Sequence, residues 1–195
     1  MKKIAIIGGG SWGTALAIAL TRSSRSHRLA LWAHSADVVE LLRTKRVNEI
    51  YLPGFELPAE VDVTDALEKA LAGAEIVLGV MPSAHAREMY RAMRPHVAPH
   101  SVFVSATKGL EPATHSRISE VIATEIGIDS SPRIAVLSGP SFAIEVAAND
   151  PTDAPIRRGG TNPETRQYRD LIRFLKNEGD RMKGADFATL AVLSR

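Results

Sequence analysis

Gly8, Gly10 and Gly13 fall at the spacing G-x-G-x-x-G within Gly8-Gly9-Gly10-Ser11-Trp12-Gly13. The spacing gains meaning from its setting. The apolar run 4–7 ahead of it is compact, as a strand covered on both faces is. Residues 11–22 behind it carry Leu16, Ala19 and Leu20 at helical spacing. Between strand and helix, Gly8 permits a tight turn, Gly10 lets the backbone come close to a diphosphate, and Gly13 lets the helix pack closely on the strand. Backbone N–H groups opening the helix, aided by its dipole, then face the phosphates. The chemistry this predicts is the binding of a dinucleotide. Without its setting the same pattern is only a glycine-rich turn.

Two further loops carry residues of chemical interest. Thr107-Lys108-Gly109-Leu110 follows a predicted strand, where a lysine would aim its ammonium into a crevice and hold a phosphate or polarise a carbonyl oxygen. The plainer reading of Lys108 is an exposed surface lysine. Ser138-Gly139-Pro140-Ser141-Phe142-Ala143 follows the last predicted strand. There Gly139 admits close backbone approach, Ser141 offers a hydroxyl, and the start of a short helix favours an anion. Cofactor choice is read where the second strand ends. An acid there would bond the ribose hydroxyls of NAD and repel the 2′-phosphate of NADP. The chain has Trp32-Ala33-His34-Ser35 at that point and no acid before Asp37. This leans toward NADP over NAD, with His34 or Ser35 as donors. His34 as an ordinary loop residue is the competing reading.

The elements that must position these loops alternate along the chain. Strands are predicted at 4–7, 29–33, 61–63, 76–80, 101–105 and 134–137. Helices are predicted at 11–22, 36–46, 65–71, 83–94 and 114–126. Gly73 is expected to close the third helix, Ser83 to cap the fourth and Pro95 to end it. Strand–helix alternation predicts an α/β fold with a doubly wound parallel sheet, in which ligands bind outside the carboxyl ends of the strands. Residues 1–148 form the expected dinucleotide-binding domain. From 149 the chain turns rich in Pro, Gly, Asp and Arg, and 149–195 is expected to be an atypical helical or partly disordered tail.

Composition narrows the function classes. The chain has 195 residues, 45% hydrophobic and 24% charged, enough to bury a core without disulfides. Its formal charge is only +2, without a basic stripe, so no nucleic-acid partner is expected. The absence of cysteine excludes disulfides, thiolate catalysis and Cys-ligated metals, and fits a cytoplasmic protein. No apolar run approaches the length of a membrane span. His96 and His100 are four apart, but Pro95 and Pro99 break any helix that would present both, so no metal site is expected.

Four ordered motifs together carry a resemblance. They are residues 8–17, Leu31-Trp32, the stretch 106–111 from Ala106 to Glu111, and 138–143 with Glu145-Val146. In order and spacing, over about residues 1 to 148, they resemble bacterial NAD(P)-dependent glycerol-3-phosphate dehydrogenase. Asn48 to Leu52, followed by Pro53, resembles that family's loop before its third strand. The resemblance implies a Rossmann-like fold and reversible hydride transfer between dihydroxyacetone phosphate and sn-glycerol 3-phosphate. It implies Gly8, Gly10 and Gly13 at the diphosphate, Ser11 and Trp12 on the dinucleotide, and His34 near the adenosine ribose. Lys108 would reach cofactor and substrate, Gly139 and Ser141 would border the substrate, and Ala143 the cofactor.

The tail departs from the family. An apolar strand is expected after Pro151-Thr152, and Asp153-Ala154-Pro155-Ile156-Arg157-Arg158-Gly159-Gly160 stands there instead. The resemblance places the catalytic lysine in a second, helical domain, after a glycine-rich run. Lys176-Asn177 has the right dipeptide but lacks that run and reads as a helix-surface lysine. A truncated or frame-shifted product would account for both features, with no catalytic residue in this chain. If the tail leaves apolar surface uncovered, self-association follows, giving a homo-oligomer. The alternatives are a catalytically inactive NAD(P)-binding module and a related β-hydroxyacid or ketopantoate-type dehydrogenase fragment. The motifs at 106–111 and 138–143 argue against the last.

Overall fold

A computed structural model describes residues 1–22, 27–127, 133–137 and 142–148. Its centre is a six-stranded parallel sheet. The strands are β1 (Lys3–Ile7), β2 (Arg28–Trp32), β5 (Val61–Thr64), β6 (Ile76–Gly79), β7 (Val102–Ser105) and β8 (Ile134–Val136). They lie in the order β5-β2-β1-β6-β7-β8, and every neighbouring pair is parallel. Read as the sheet's own strands in chain order this is 3-2-1-4-5-6, the doubly wound arrangement. The order reverses between β1 and β6, where Ile6 stands opposite Leu31 on one side and Leu78 on the other.

Alternation along β1 explains the layering. Ile4 and Ile6 point into one core with Leu16, Leu20, Leu29 and Leu31, while Ala5 and Ile7 point into a second core with Tyr90, Phe103 and Val121. Successive strand residues face opposite sides, so a wholly apolar strand needs cover on both. Helices α1 (Ser11–Thr21) and α2 (Ala36–Thr44) belong to the first core. Helices α3 (Leu67–Leu71), α4 (Ser83–Met93) and α5 (Ile118–Ile126) belong to the second. Tyr90 and Phe103 meet edge to face in the second core, centroids 6.4 Å apart.

Helix α1 is apolar nearly all round, with residues 13–18 and Leu20 buried. Such a helix must be enclosed. One side rests on β1 and β2, and the other is covered by α6 (Ala143–Ala148) and a hairpin of β3 (Val47–Asn48) and β4 (Leu52–Glu56). Arg22, just beyond the end of α1, donates to the carbonyls of Val146 and Ala147 at the end of α6.

Each expected strand is present with its ends within one residue. The remaining departures have local causes. Helix α3 starts at Leu67 rather than 65, because Asp65 lies in a bend and Ala66 is extended. The Trp32 indole donates to the Asp65 carbonyl at 2.9 Å, and the Ala66 N–H donates to Thr64 Oγ1 at 3.1 Å. Gly73 follows α3 with φ +69, as expected. Pro82, not Ser83, is the cap of α4, and no side chain caps it. Helix α5 starts at Ile118 rather than 114. Residues 111–117 form a turn in which His115 has φ +54 and the Glu111 N–H reaches the Ser116 carbonyl at 3.0 Å. The helix begins once the Arg117 N–H finds the Glu120 carboxylate at 2.9 Å. Residues 48–52, expected as a loop, are the turn of the β3–β4 hairpin and its edges. The expected tail, 149–195, with Lys176, lies outside the described residues.

Candidate dinucleotide site

The loop from β1 to α1 emerges at the reversal of strand order. Gly8 has φ +133, a conformation that suits glycine alone, and a Cβ there would sit 2.2 Å from the Val80 carbonyl oxygen. Its N–H donates to the Trp32 carbonyl at 3.0 Å. Gly13 lies where α1 crosses the loop. A Cβ there would stand 1.7 Å from the Gly8 carbonyl oxygen, so only glycine permits this approach. Gly10 is different in kind: it is the cap of α1, and a Cβ on it would meet nothing within 4 Å.

That opening coincides with the amino end of α1. Among the described residues no side chain caps the helix, and its own first turn holds no acid to meet the positive end of the dipole. The Gly10 carbonyl is taken into the helix by the Thr14 N–H at 3.0 Å. Ser11 and Trp12 are half-buried here.

Three of the sequence-selected residues arrive from other elements. Lys108 follows β7, and its Nζ stands 5.8 Å from the centroid of the Trp12 ring, a cation–π distance between residues far apart in the chain. His34 follows β2 at the same carboxyl edge of the sheet. It is exposed, with its ring centroid 6.0 Å from that of Trp32. Ala143 opens α6 and packs against the core beneath α1, as Trp12 does. No acid precedes Asp37 after β2, and Asp37 lies in the first turn of α2. Gly139 and Ser141 lie outside the described residues.

Lys108 is mounted on a clamped loop. Gly109 turns it with φ +86, and Glu111 anchors it. The Arg87 guanidinium, from α4, donates to both Glu111 carboxylate oxygens at 2.5 and 2.7 Å, and Thr114 donates its hydroxyl to the same group. These donors hold the Glu111 carboxyl down at about 2. Arg87 also donates to Glu125 of α5 at 2.7 Å, and Arg91 donates to it at 3.0 Å, lowering that carboxyl too. Fork-to-carboxylate bonds of this kind fix geometry as well as charge. The loop after β7 is therefore tied to α4, and α4 to α5.

Asn48 is a contact that sequence reasoning missed. It is fully buried, and its amide nitrogen donates to the Gly9 carbonyl at 2.9 Å and to Thr14 Oγ1 at 2.8 Å. A buried asparagine beside a glycine loop has no local periodicity to reveal it; its presence in a motif-bearing loop was the available signal. Among the described residues, no group of three or more His, Cys, Asp or Glu side chains is placed to hold a metal ion. No helix there is long and apolar enough to cross a membrane.

Known proteins share this arrangement. The sequence profile of the NAD-dependent glycerol-3-phosphate dehydrogenase N-terminus matches residues 3–160. The chain is 51% identical over 152 residues to a glycerol-3-phosphate dehydrogenase [NAD(P)+] of Koribacter versatilis, covering 78% of this chain and 45% of the relative. It is 48% identical over 158 residues to the enzyme of the same name from Acidobacterium capsulatum, covering 78% and 46%. A crystal structure of glycerol-3-phosphate dehydrogenase from Coxiella burnetii superposes with a TM-score of 0.68 at 38% identity, over 77% of this chain and 45% of that one. The chain spans about half the length of the relatives it matches. A profile covering most of the sequence, on a sheet of this strand order, settles descent: the chain belongs to the NAD-dependent glycerol-3-phosphate dehydrogenase family and corresponds to its N-terminal part.

Proposed function

We propose that the crevice at the amino end of α1 binds a nicotinamide dinucleotide, NADP or NAD. In the whole enzyme it would serve reversible hydride transfer between dihydroxyacetone phosphate and sn-glycerol 3-phosphate. The observation that carries this is the start of α1 at Gly10, with no side-chain cap among the described residues and no acid in its first turn, where a Cβ on Gly10 would meet nothing within 4 Å. When bound, the nicotinamide supplies or accepts the hydride.

In this reading, Gly8, Gly10 and Gly13 shape the diphosphate cradle, Ser11 and Trp12 border the dinucleotide, and His34 stands toward the adenosine ribose. The lack of an acid directly after β2 favours NADP. Ala143 flanks the cofactor from α6. Lys108 places a positive charge where a substrate phosphate or a carbonyl oxygen gaining charge would be stabilised. Gly139 and Ser141 complete the substrate side. The reading extends to a small phosphorylated substrate, a cytoplasmic setting and a role in supplying glycerol phosphate for phospholipid synthesis, and membership of the family supports it.

Assayed as these 195 residues, the chain is expected to bind NADPH and to turn over dihydroxyacetone phosphate slowly or not at all. It spans 45% of its relatives' length, and the group expected to handle the proton lies in the remainder. Turnover is followed by absorbance of the reduced nicotinamide, and binding by fluorescence on the same preparation. Binding without turnover supports a cofactor module. Turnover at a full enzymatic rate would show that the proton-handling group has been misplaced, and absence of binding would remove the proposal.

A further inference from the structure

We infer that Asn48 is a positioning residue for dinucleotide binding: from the hairpin it turns the Gly9 carbonyl away from the crevice, so that the amides beside it face the diphosphate. This rests on the dinucleotide reading of the crevice and adds a residue to it.

An asparagine amide can be placed either way round, but here its partners decide. The Gly9 carbonyl needs a donor, and the Tyr51 N–H needs an acceptor. Nδ2 therefore faces Gly9 at 2.9 Å and Oδ1 accepts from Tyr51 at 3.2 Å. The second Nδ2 hydrogen goes to Thr14 Oγ1 at 2.8 Å, in the second turn of α1. One fully buried side chain thus ties the glycine loop, the helix it opens and the hairpin turn together.

The direction of the Gly9 carbonyl matters because of sign. A peptide presents a negative oxygen on one side and a positive N–H on the other. An anion cradle works only when the oxygens are taken elsewhere. The Gly10 carbonyl is taken by Thr14, and the Gly8 carbonyl lies against α1 at Gly13. Gly9 is followed by a cap residue free of side-chain constraint, so its carbonyl needs an outside donor, and Asn48 supplies it. The hairpin that carries Asn48 is itself fixed. The Arg46 guanidinium donates to the carbonyls of Leu57, Pro58 and Val61, and the Leu57 N–H donates to the Arg46 carbonyl. Leu52 and Leu57 bury in the first core.

The test uses Asn48→Leu, close to the original in shape but without donor or acceptor, in the 195-residue chain. Thr14→Val, which removes one partner, is the milder second variant, and Arg46→Met loosens the hairpin without touching Gly9. Two ligands are titrated: NADPH, and adenosine 2′-monophosphate, which has the adenosine end but no diphosphate. Amide hydrogen exchange is measured without ligand. Asn48→Leu is expected to weaken NADPH about 30-fold, equivalent to about 2 kcal/mol, and to leave adenosine 2′-monophosphate within about threefold. Exchange at Thr14, whose N–H is held by the Gly10 carbonyl, quickens while the β7 amides stay protected. Thr14→Val shifts the same readings in the same direction by a few-fold, and carries the test if Asn48→Leu does not fold. Arg46→Met, which frees the hairpin that carries Asn48, shifts the readings in the same direction. The inference is overturned if both ligands weaken together or if NADPH affinity is kept. Failure of the parent chain to bind NADPH would sink the dinucleotide reading. Unchanged exchange at Thr14 would sink the role of Asn48 whatever the parent binds.

Discussion

Replacing Gly10 separates folding from binding. Gly10 has φ −76 and ψ −173, backbone that any residue adopts, and a Cβ there meets no atom within 4 Å. Gly10→Val therefore creates no clash and no left-handed strain. An apolar residue at a helix cap costs about 0.5–1 kcal/mol, and restricting the unfolded chain returns about 0.4–1 kcal/mol. The net change is within about 1 kcal/mol, a shift of about 2–4 °C in Tm for a chain of this size. The isopropyl group, however, stands where a diphosphate must approach. Charge-assisted bonds from backbone amides are worth about 1.5–3 kcal/mol each. Losing two costs about 3–6 kcal/mol, which is a loss in affinity of at least about 100-fold. Gly13→Ala is the opposite case. Its Cβ would lie 1.7 Å from the Gly8 carbonyl oxygen, backbone against backbone, so α1 must move and stability falls by about 1–3 kcal/mol or more. Thermal melts and NADPH titrations on the two variants check both halves. A Gly10→Val chain that melts like its parent and binds NADPH normally would refute the reasoning.

The Glu111 carboxyl sits at about 2 against an ordinary 4.5. The folded chain thus binds fewer protons than the unfolded chain between these values. Its contribution to stability is whole above about pH 4.5 and is lost as pH falls toward about 2. Glu111→Gln should lower Tm at neutral pH and lose less of it on acidification; parallel Tm–pH curves for the two chains would count against the Arg87 clamp. Ile6→Ala, at a fully buried site in the first core, is expected to cost about 2–5 kcal/mol by denaturant unfolding, and a loss under about 1 kcal/mol would contradict the packing. Lys108→Met, which keeps length but removes charge, should weaken NADPH binding about three- to tenfold and reduce its salt dependence. Unchanged affinity at low salt would remove Lys108 from the site.

The sheet was legible because its strands are buried on both faces and read as short apolar runs between helical patterns. Ile4 to Ile7 needs no distant partner to be recognised. The glycine loop was legible for the same reason: its meaning lies in the strand before it and the helix after it. What escaped is long-range. The β3–β4 hairpin is too short for periodicity, and its stability comes from Arg46 and Asn48 reaching residues far along the chain. The start of α5 stands four residues later than expected, at Ile118 rather than 114. In the fold, the Thr114 hydroxyl is committed to Glu111, whose other partner comes from α4. Lys108 could be chosen from its place after a strand, but its approach to Trp12 follows only from the order in which β1, β6 and β7 lie side by side.

The most direct measurement is a titration of the folded 195-residue chain with NADPH and with NADH, read through tryptophan emission, since Trp12 borders the crevice. Saturable quenching by at least one of the two, lost on Gly10→Val, is the expected result. A chain with an intact melting transition and no response to either dinucleotide would contradict the claim that the start of α1 receives a diphosphate.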